Sequence, residues 1–142
     1  MSTQFEKDNT TGKNHSGVNA NWPVRVLTAT SIIGDDVLNE KDEKIGVIKD
    51  IMLDIRRGFI DYVVVECSGF LGFDEKFFAI PFSSLHIRQS RKAFVLTNGS
   101  ELLKKAPGFD KAHWPDTNSH SYAQAKGFWD DNFMGPSAGF SF

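Results

Sequence analysis

The 142-residue chain carries 16 Lys and Arg against 18 Asp and Glu, and its formal net charge is −2. This balance gives the chain no overall preference for nucleic acid or for an anionic membrane. The hydrophobic content of 40% is enough for the core of one domain, and no stretch is apolar for the length of a membrane span. The single cysteine, Cys67, excludes an intramolecular disulfide framework. Residues 1–21 contain no apolar signal core, so we expect a cytoplasmic protein.

The N-terminal part of the chain is polar. Residues 1–21 are rich in Asn, Thr, Ser, Gly and Lys, and they cannot bury enough apolar surface to offset the entropy of ordering. We therefore predict a flexible polar arm over residues 1–21, followed by a folded domain over residues 22–108. The domain is predicted to begin with a strand at 22–27 and a helical turn at 29–33, which Gly34 closes.

The stretch from Ile45 to Pro81 predicts three consecutive strands, around which the domain is organised. In the first strand one face is apolar at alternate positions, which is typical of a half-buried strand, and Lys49 is the interruption. Gly58 suits the hairpin turn, because glycine takes positive φ without steric cost. The return strand, 59–67, is apolar on both faces, so we place it centrally with Cys67 as a buried hydrophobe. The apolar face of the first strand consists of Ile45, Val47, Ile51, Leu53 and Ile55.

A third strand is predicted at 76–80, and a second hairpin follows it across the polar turn 89–92. No aromatic residues are interleaved with the basic residues near this hairpin, so a charged edge hairpin is favoured over an RNA-binding face. A short helix is predicted from Asn98 to Ala106, with Asn98 and Glu101 at the spacing of a capping box. The basic cluster consists of Arg88, Arg91, Lys92, Lys104 and Lys105.

Residues 109–142 form a C-terminal extension with many aromatic rings and little periodicity. A disordered tail is normally poor in aromatic residues. Single rings among Gly, Ser and Asp therefore indicate a segment docked by individual anchors, either on its own domain or on a second protomer. The glycine-rich stretch 69–73 has an apolar tip, which is unsuited to phosphate but suited to a contact surface. The candidate contact residues are Phe70, Leu71, Phe73, Trp114, Phe128, Trp129 and Phe133.

No set of residues predicts catalysis or a bound cofactor. Asp110, His113, Asp116 and His120 can coordinate metal by residue type, but their spacing fits no established zinc pattern. Pro115 also interrupts any helix that would align them. The glycine loops of nucleotide-binding folds and the nucleophile elbow of hydrolases are not present. We therefore expect a protein that is not an enzyme and that holds neither a metal nor another cofactor.

Several short motifs follow one another in a set order. They are TATSIIG at 28–34, KIGVIKDIMLD at 44–54, YVVV at 62–65, GFLG at 69–72, EK at 75–76 and FAIP at 78–81, with APGFDK at 106–111 and HWP at 113–115 behind them. In this order they resemble a PRC-barrel domain, the small β-barrel of the photosynthetic reaction-centre H subunit and of the ribosome-maturation protein RimM. The last two motifs resemble the segment that follows the barrel in stand-alone bacterial members.

The resemblance implies a mainly β fold. We expect a small, strongly bent antiparallel sheet that closes into a barrel, with one or two short helices and an irregular, aromatic-rich C-terminal tail. Members of this family serve mostly as adaptor or assembly modules, so the resemblance implies a non-catalytic interaction module. The expected partners are a second copy of the chain, in a homodimer or larger assembly, and an unidentified protein. The alternative is an RNA- or ribosome-associated factor in the manner of RimM, although nucleic acid is not the favoured partner.

Overall fold

The structure, a computed structural model, describes residues 11–22, 26–67, 76–108 and 122–132, and for residues 122–125 the backbone alone. The described part of the chain is mainly β. Its strands are β1 (Asp36–Leu38), β2 (Lys44–Asp54), β3 (Phe59–Cys67), β4 (Lys76–Pro81), β5 (His86–Ile87) and β6 (Ala93–Val95). Its α-helices are α1 (Ala29–Ile32), α2 (Gly99–Lys105) and α3 (Tyr122–Asp131), and a 3₁₀ helix spans Phe82–Ser84.

The six strands form one sheet in the order β4-β3-β2-β1-β6-β5. Neighbouring strands pair antiparallel except for β1 and β6, which pair in parallel. The sheet is therefore mixed, whereas a purely antiparallel sheet was expected. β3 lies between the two strands that follow and precede it in the chain. Its residues Val63, Val64 and Val65 are completely buried, which confirms the prediction of a central strand covered on both faces.

The sheet bends strongly because its two outer strands are consecutive in the sequence. Only residues 82–85 separate β4 from β5, and four residues reach at most about 14 Å. This connection keeps the opposite edges of the sheet close together. The ring of Phe82 packs into the bend, with its centroid 5.8 Å from that of Phe94 in β6. Among the described residues no ladder joins β4 to β5, so the sheet is bent as predicted but hydrogen bonds do not close it into a barrel.

One hydrophobic core unites the sheet with the helices. Ile32 of α1, Leu103 of α2 and Trp129 of α3 all pack against side chains of the sheet, and each is at most 5% exposed. The sheet contributes side chains from both its long central strands and its outer strands. The most deeply buried of these are Val37, Ile45, Ile48, Val63, Val64, Val65, Cys67, Phe78 and Ile80.

β2 does not follow the simple alternation predicted from its sequence. Its register with β3 shifts between Ile48 and Asp50, so the strand contains a bulge at Lys49. Ile48, which precedes the bulge and is not on the predicted apolar face, is completely buried. Leu53 and Ile55, which were predicted on the buried face, are 61% and 87% exposed. Ile55 lies beyond the end of β2, in the turn. The predicted burial is wrong at these positions.

The predicted short helices are present, with one difference at a cap. α1 ends before Gly34, which has the expected positive φ of 100°, and α2 lies within the predicted bounds. Asn98 does not cap α2 through its side chain, because its backbone is in the left-handed region with φ 57°. Its N–H donates instead to Oε1 of Glu40 across 3.0 Å. Within the described ranges, no helix is long and apolar enough to cross a membrane.

The described part of the N-terminal segment, residues 11–22, is hydrogen-bonded to the sheet. The strand predicted at 22–27 is wrong where it can be compared, since Trp22 lies in a turn and residues 26–28 have no regular structure. Residues 1–10 lie outside the described residues. The flexibility of the arm and the domain boundaries remain predictions.

Candidate interaction site

The end of the β2–β3 hairpin exposes large apolar side chains. Leu53 is 61% exposed, Ile55 is 87% exposed and Phe59 is 46% exposed. The neighbouring strands stop short of this end, because β1 pairs only with the first part of β2 and β4 pairs only with the later part of β3. The segment Asp50–Asp61, which we name the hairpin end, therefore projects beyond the rest of the sheet.

The turn of the hairpin end is held by hydrogen bonds to one aspartate. Oδ1 of Asp54 accepts from the backbone N–H groups of Arg56 and Arg57, each across 3.0 Å. The N–H of Gly58 donates to the carbonyl oxygen of Asp54 across 2.7 Å, and Gly58 has the positive φ, 78°, that the turn requires. These contacts fix the turn, so Ile55 is presented to solvent by a defined structure.

Charge is distributed unevenly along the hairpin end. Asp50 and Asp61 lie at its base, close to the phenol of Tyr62. Burial raises the pKa of Tyr62 to about 12, and the negative charges of Asp61 and then Asp50 add to the rise. Arg56 lies at the opposite end, in the turn. The hairpin end therefore has an acidic base, an apolar middle and a basic tip.

Sequence reasoning did not include the exposed residues of the hairpin end among the candidate contacts. The alternating pattern placed Leu53 and Ile55 on a buried face. Leu53 lies beyond the part of β2 that pairs with β1, and Ile55 lies in the turn, where alternation no longer applies. Side-chain exposure also depends on how far neighbouring strands extend, which the local pattern does not reveal.

The structure describes two of the seven predicted contact residues, and both lie in α3. Trp129 is 1% exposed and belongs to the core of its own chain, where α3 packs against β4. Phe128 is half-buried, and its ring meets the indole edge-on with centroids 5.1 Å apart. Trp129 thus anchors the C-terminal extension on its own domain. The other five residues, Phe70, Leu71, Phe73, Trp114 and Phe133, lie outside the described residues.

The helical conformation of α3 differs from the irregular tail that was predicted. Residues 122–126, Tyr-Ala-Gln-Ala-Lys, include good helix formers. A helix of ten residues is marginal in isolation, and burial of an apolar face normally stabilises it. Here the packing of Trp129 supplies that burial, a tertiary contact that the weak periodicity of the segment does not indicate.

The basic cluster near β5 and β6 is largely neutralised by acidic neighbours. Three of its five cations form ion pairs: Arg88 with Asp42, Lys92 with Asp35 and, across 3.6 Å, Lys104 with Glu101. Each pair reduces the positive charge that an RNA-binding surface would offer to phosphates. Arg88 and Asp42 also line a groove of about 530 Å³ beside the N-terminal segment. The geometry does not favour the RNA-associated alternative, which remains a prediction.

Among the described residues, the side chains with reactive groups are not arranged as a reaction centre. Cys67 is 1% exposed, and burial raises the pKa of its thiol to about 12, with a smaller contribution from Glu66. This confirms the prediction of a buried hydrophobe, since the reactive form of cysteine is the thiolate. Among the described residues no three or more His, Cys, Asp or Glu side chains are grouped to hold a metal ion. The metal candidates at 110, 113, 116 and 120 lie outside the described residues.

A buried carboxylate, Asp35, ties the N-terminal segment to the sheet. Its side chain has no exposed surface and accepts hydrogen bonds from Nδ2 of Asn14 and Nζ of Lys92. Three separate segments of the chain therefore meet at Asp35. Burial raises the pKa of Asp35, and the hydrogen bonds from Lys92 and Asn14 oppose the rise.

We expect the Asp35→Asn variant to lose less stability than the wild type as pH rises. The folded-state pKa of Asp35 lies above its ordinary value of 3.8. The neutral carboxyl group of Asp35 therefore stabilises the folded state fully below that value, and this stabilisation is lost as pH rises through the folded-state pKa. Urea unfolding between about pH 3 and pH 7 measures this difference in slope. Asp131→Asn, which removes an exposed carboxylate at the end of α3, is the control. Identical pH profiles for wild type and Asp35→Asn would show that the charge of Asp35 costs nothing in the folded state.

The bent six-stranded sheet, the short helices around it and the projecting hairpin define a small, mainly β domain with a candidate interaction surface. The sequence profile of the PRC-barrel domain matches residues 25–103, which is more than half of the chain. The chain therefore belongs to the PRC-barrel domain family, as the resemblance of its motifs predicted. No curated protein matches the chain.

Proposed function

We propose that this PRC-barrel protein is a non-catalytic interaction module that self-associates through its hairpin end. The observation that carries the proposal is the exposure of Leu53, Ile55 and Phe59 on one projecting, hydrogen-bonded element. Phe59 pairs with Asp54 and Leu53 pairs with Ile60, so Phe59 and Leu53 lie on opposite faces of the hairpin. The proposal therefore depends chiefly on Leu53 and Ile55, since single exposed apolar side chains are ordinary but neighbouring ones mark a contact surface.

The size of the exposed surface is consistent with the centre of an interface. At their exposures Leu53 and Ile55 together present on the order of 200 Å². A stable interface buries about 800 Å² on each partner, with an apolar centre and a polar rim. The hairpin end offers such a rim, since Asp50, Asp61, Arg56 and Arg57 surround the apolar residues.

The non-catalytic part of the proposal is supported by the resemblance to adaptor members of the family. Fold alone does not determine function, because sites with different chemistry occur on the same fold. The buried thiol of Cys67 and the paired charges near β5 and β6 are consistent with this reading. The binding of a further, unidentified protein is part of the same proposal.

Light scattering across a range of protein concentrations tests self-association. We expect the wild type to exceed its monomer mass of 15.9 kDa. A variant with Leu53→Ser and Ile55→Ser should approach the monomer mass, because these changes remove the apolar centre of the contact. Val26→Ser is the matched control, since Val26 is 76% exposed but lies outside the hairpin end. A wild type that stays monomeric at every concentration would rule out self-association.

A further inference from the structure

The groove beside the N-terminal segment is formed by three separate parts of the chain and shares no residue with the hairpin end. Val18 and Asn19 line it from the N-terminal segment, Asp42 from the turn between β1 and β2, and residues 87–91 from β5 and the turn that follows it. Its volume of about 530 Å³ is within the range of sites that bind small molecules, about 300–1,000 Å³.

The turn between β5 and β6 is fixed by a buried asparagine. Asn21 is 2% exposed, and its Nδ2 donates to the carbonyl oxygens of Arg88 and Arg91 across 3.3 Å and 3.0 Å. Its backbone N–H donates to the carbonyl oxygen of Gln89 across 3.0 Å. The two arginines therefore project from an ordered backbone, which lowers the entropic cost of binding a ligand.

The wall that carries Asp42 is fixed in a similar way. Asn39 is 4% exposed, and its Oδ1 accepts from the backbone N–H groups of Lys41 and Glu43 across 2.9 Å and 3.0 Å. The N–H of Asp42 donates to the carbonyl oxygen of Asn39 across 3.0 Å. The carboxylate of Asp42 pairs with Arg88, so one charge pair already spans the groove.

The charges that line the groove do not balance. Arg88, Arg91 and Asp42 are its charged residues, and Arg88 and Asp42 compensate each other. Arg91 is exposed, and within the described ranges it forms no ion pair. One uncompensated guanidinium suits a ligand with a single anionic group, whereas a nucleic acid gains its affinity from several cations.

The groove also presents apolar surface near its free charge. Val18 is 77% exposed and Ile87 is half-buried, and both line the groove. We infer that the groove binds a small organic anion, whose carboxylate or phosphate group contacts Arg91 and whose hydrocarbon part packs against Val18 and Ile87. A guanidinium group binds either anionic group by paired hydrogen bonds. This site goes beyond the proposed function, because self-association involves the hairpin end.

Nuclear magnetic resonance titration of the full chain with hexanoate and with hexyl phosphate tests the site. We expect saturable shifts of the backbone amide signals of residues 87–91, with dissociation constants on the order of 1–10 mM for such small ligands. Hexylammonium, which has the same hydrocarbon chain and the opposite charge, should leave these signals unchanged. The tighter binder of the two anions shows whether the site prefers a carboxylate or a phosphate.

Two substitutions with opposite expected effects identify the charges involved. Arg91→Gln should weaken binding of the preferred anion roughly tenfold or more, because a charge-assisted hydrogen bond is lost. Arg57→Gln, which removes an exposed arginine of the hairpin end, is the matched control and should bind as the wild type does. Asp42→Asn should bind more tightly than the wild type, because it frees Arg88 for the ligand. A gain of affinity cannot come from a damaged fold.

Three results would overturn this inference. They are the absence of saturable shifts with both anions, equal binding by the wild type and Arg91→Gln, and a steeply salt-dependent preference for an RNA oligonucleotide over both anions. The Leu53→Ser and Ile55→Ser variant should bind the anion as the wild type does, since the groove contains neither residue. Failure of the anion site would therefore leave self-association through the hairpin end in place, and failure of self-association would leave the anion site in place.

Discussion

Replacing Trp129 with alanine is expected to lower the free energy of unfolding by about 3–5 kcal/mol. The indole is 1% exposed and lies in the core, where α3 packs against β4. Its Nε1–H is buried and has no hydrogen-bond partner among the described residues, so the expected loss comes from packing and burial. Urea or guanidinium unfolding, followed by circular dichroism, measures the change.

Two further variants show whether the effect belongs to the buried indole. Trp129→Phe keeps an aromatic ring in the pocket and should cost less than Trp129→Ala. Phe128→Ala changes the neighbouring half-buried ring, which contacts the indole edge-on, and should also cost less. If Trp129→Ala left the free energy of unfolding within about 0.5 kcal/mol of the wild type, α3 would not be part of the cooperative fold.

The position of Trp129 also determines how self-association should be examined. A chain shortened before α3 would lose this side chain from the core and would expose apolar surface around β4. Such surface promotes association of its own, so the mass of a shortened chain would not report on the native contact. Serine substitutions at the hairpin end avoid this difficulty, because Leu53 and Ile55 are largely exposed already.

The elements whose patterns are local were predicted well from the sequence. The strand bounds of β3 and β4, the hairpin turn at Gly58 and the helix α2 all follow from alternation, glycine placement or helix-stop signals. Central placement of β3 followed from its apolar residues on both faces, and Cys67 was correctly predicted as buried. In each case the residues that determine the structure are close together in the sequence.

The remaining features depend on contacts between distant segments. The parallel pairing of β1 with β6 joins residues near Val37 to residues near Phe94, and neither strand's pattern reveals it. The candidate site depends on where β1 and β4 end relative to the hairpin. Asn98 fits the sequence of a capping box, but a tertiary hydrogen bond to Glu40 accompanies a different backbone conformation. Local propensity is a weak guide where such contacts compete.

Replacing Gly46 with alanine should lower the free energy of unfolding by about 1–3 kcal/mol. Gly46 lies in β2, opposite Val37 of β1. A Cβ atom there would lie 2.7 Å from Cγ1 of Val65 and 2.9 Å from the carbonyl oxygen of Glu66. Both neighbours belong to β3, and that carbonyl belongs to backbone within the ladder between β2 and β3, so it cannot move aside as a flexible side chain would. Chemical unfolding measures the loss.

Gly127→Ala is the matched control for this substitution. Gly127 lies within α3, and a Cβ atom there would meet no atom within 4 Å. The control should raise the free energy of unfolding by about 0.5–1 kcal/mol, because alanine favours a helix over glycine. If both substitutions raised the free energy of unfolding equally, β2 and β3 would have to separate easily at Gly46. The hairpin end would then lack a rigid base, since Gly46 lies in the paired part of β2 that precedes it. A loss at Gly46 with a gain at Gly127 supports a tightly packed base from which the hairpin end projects.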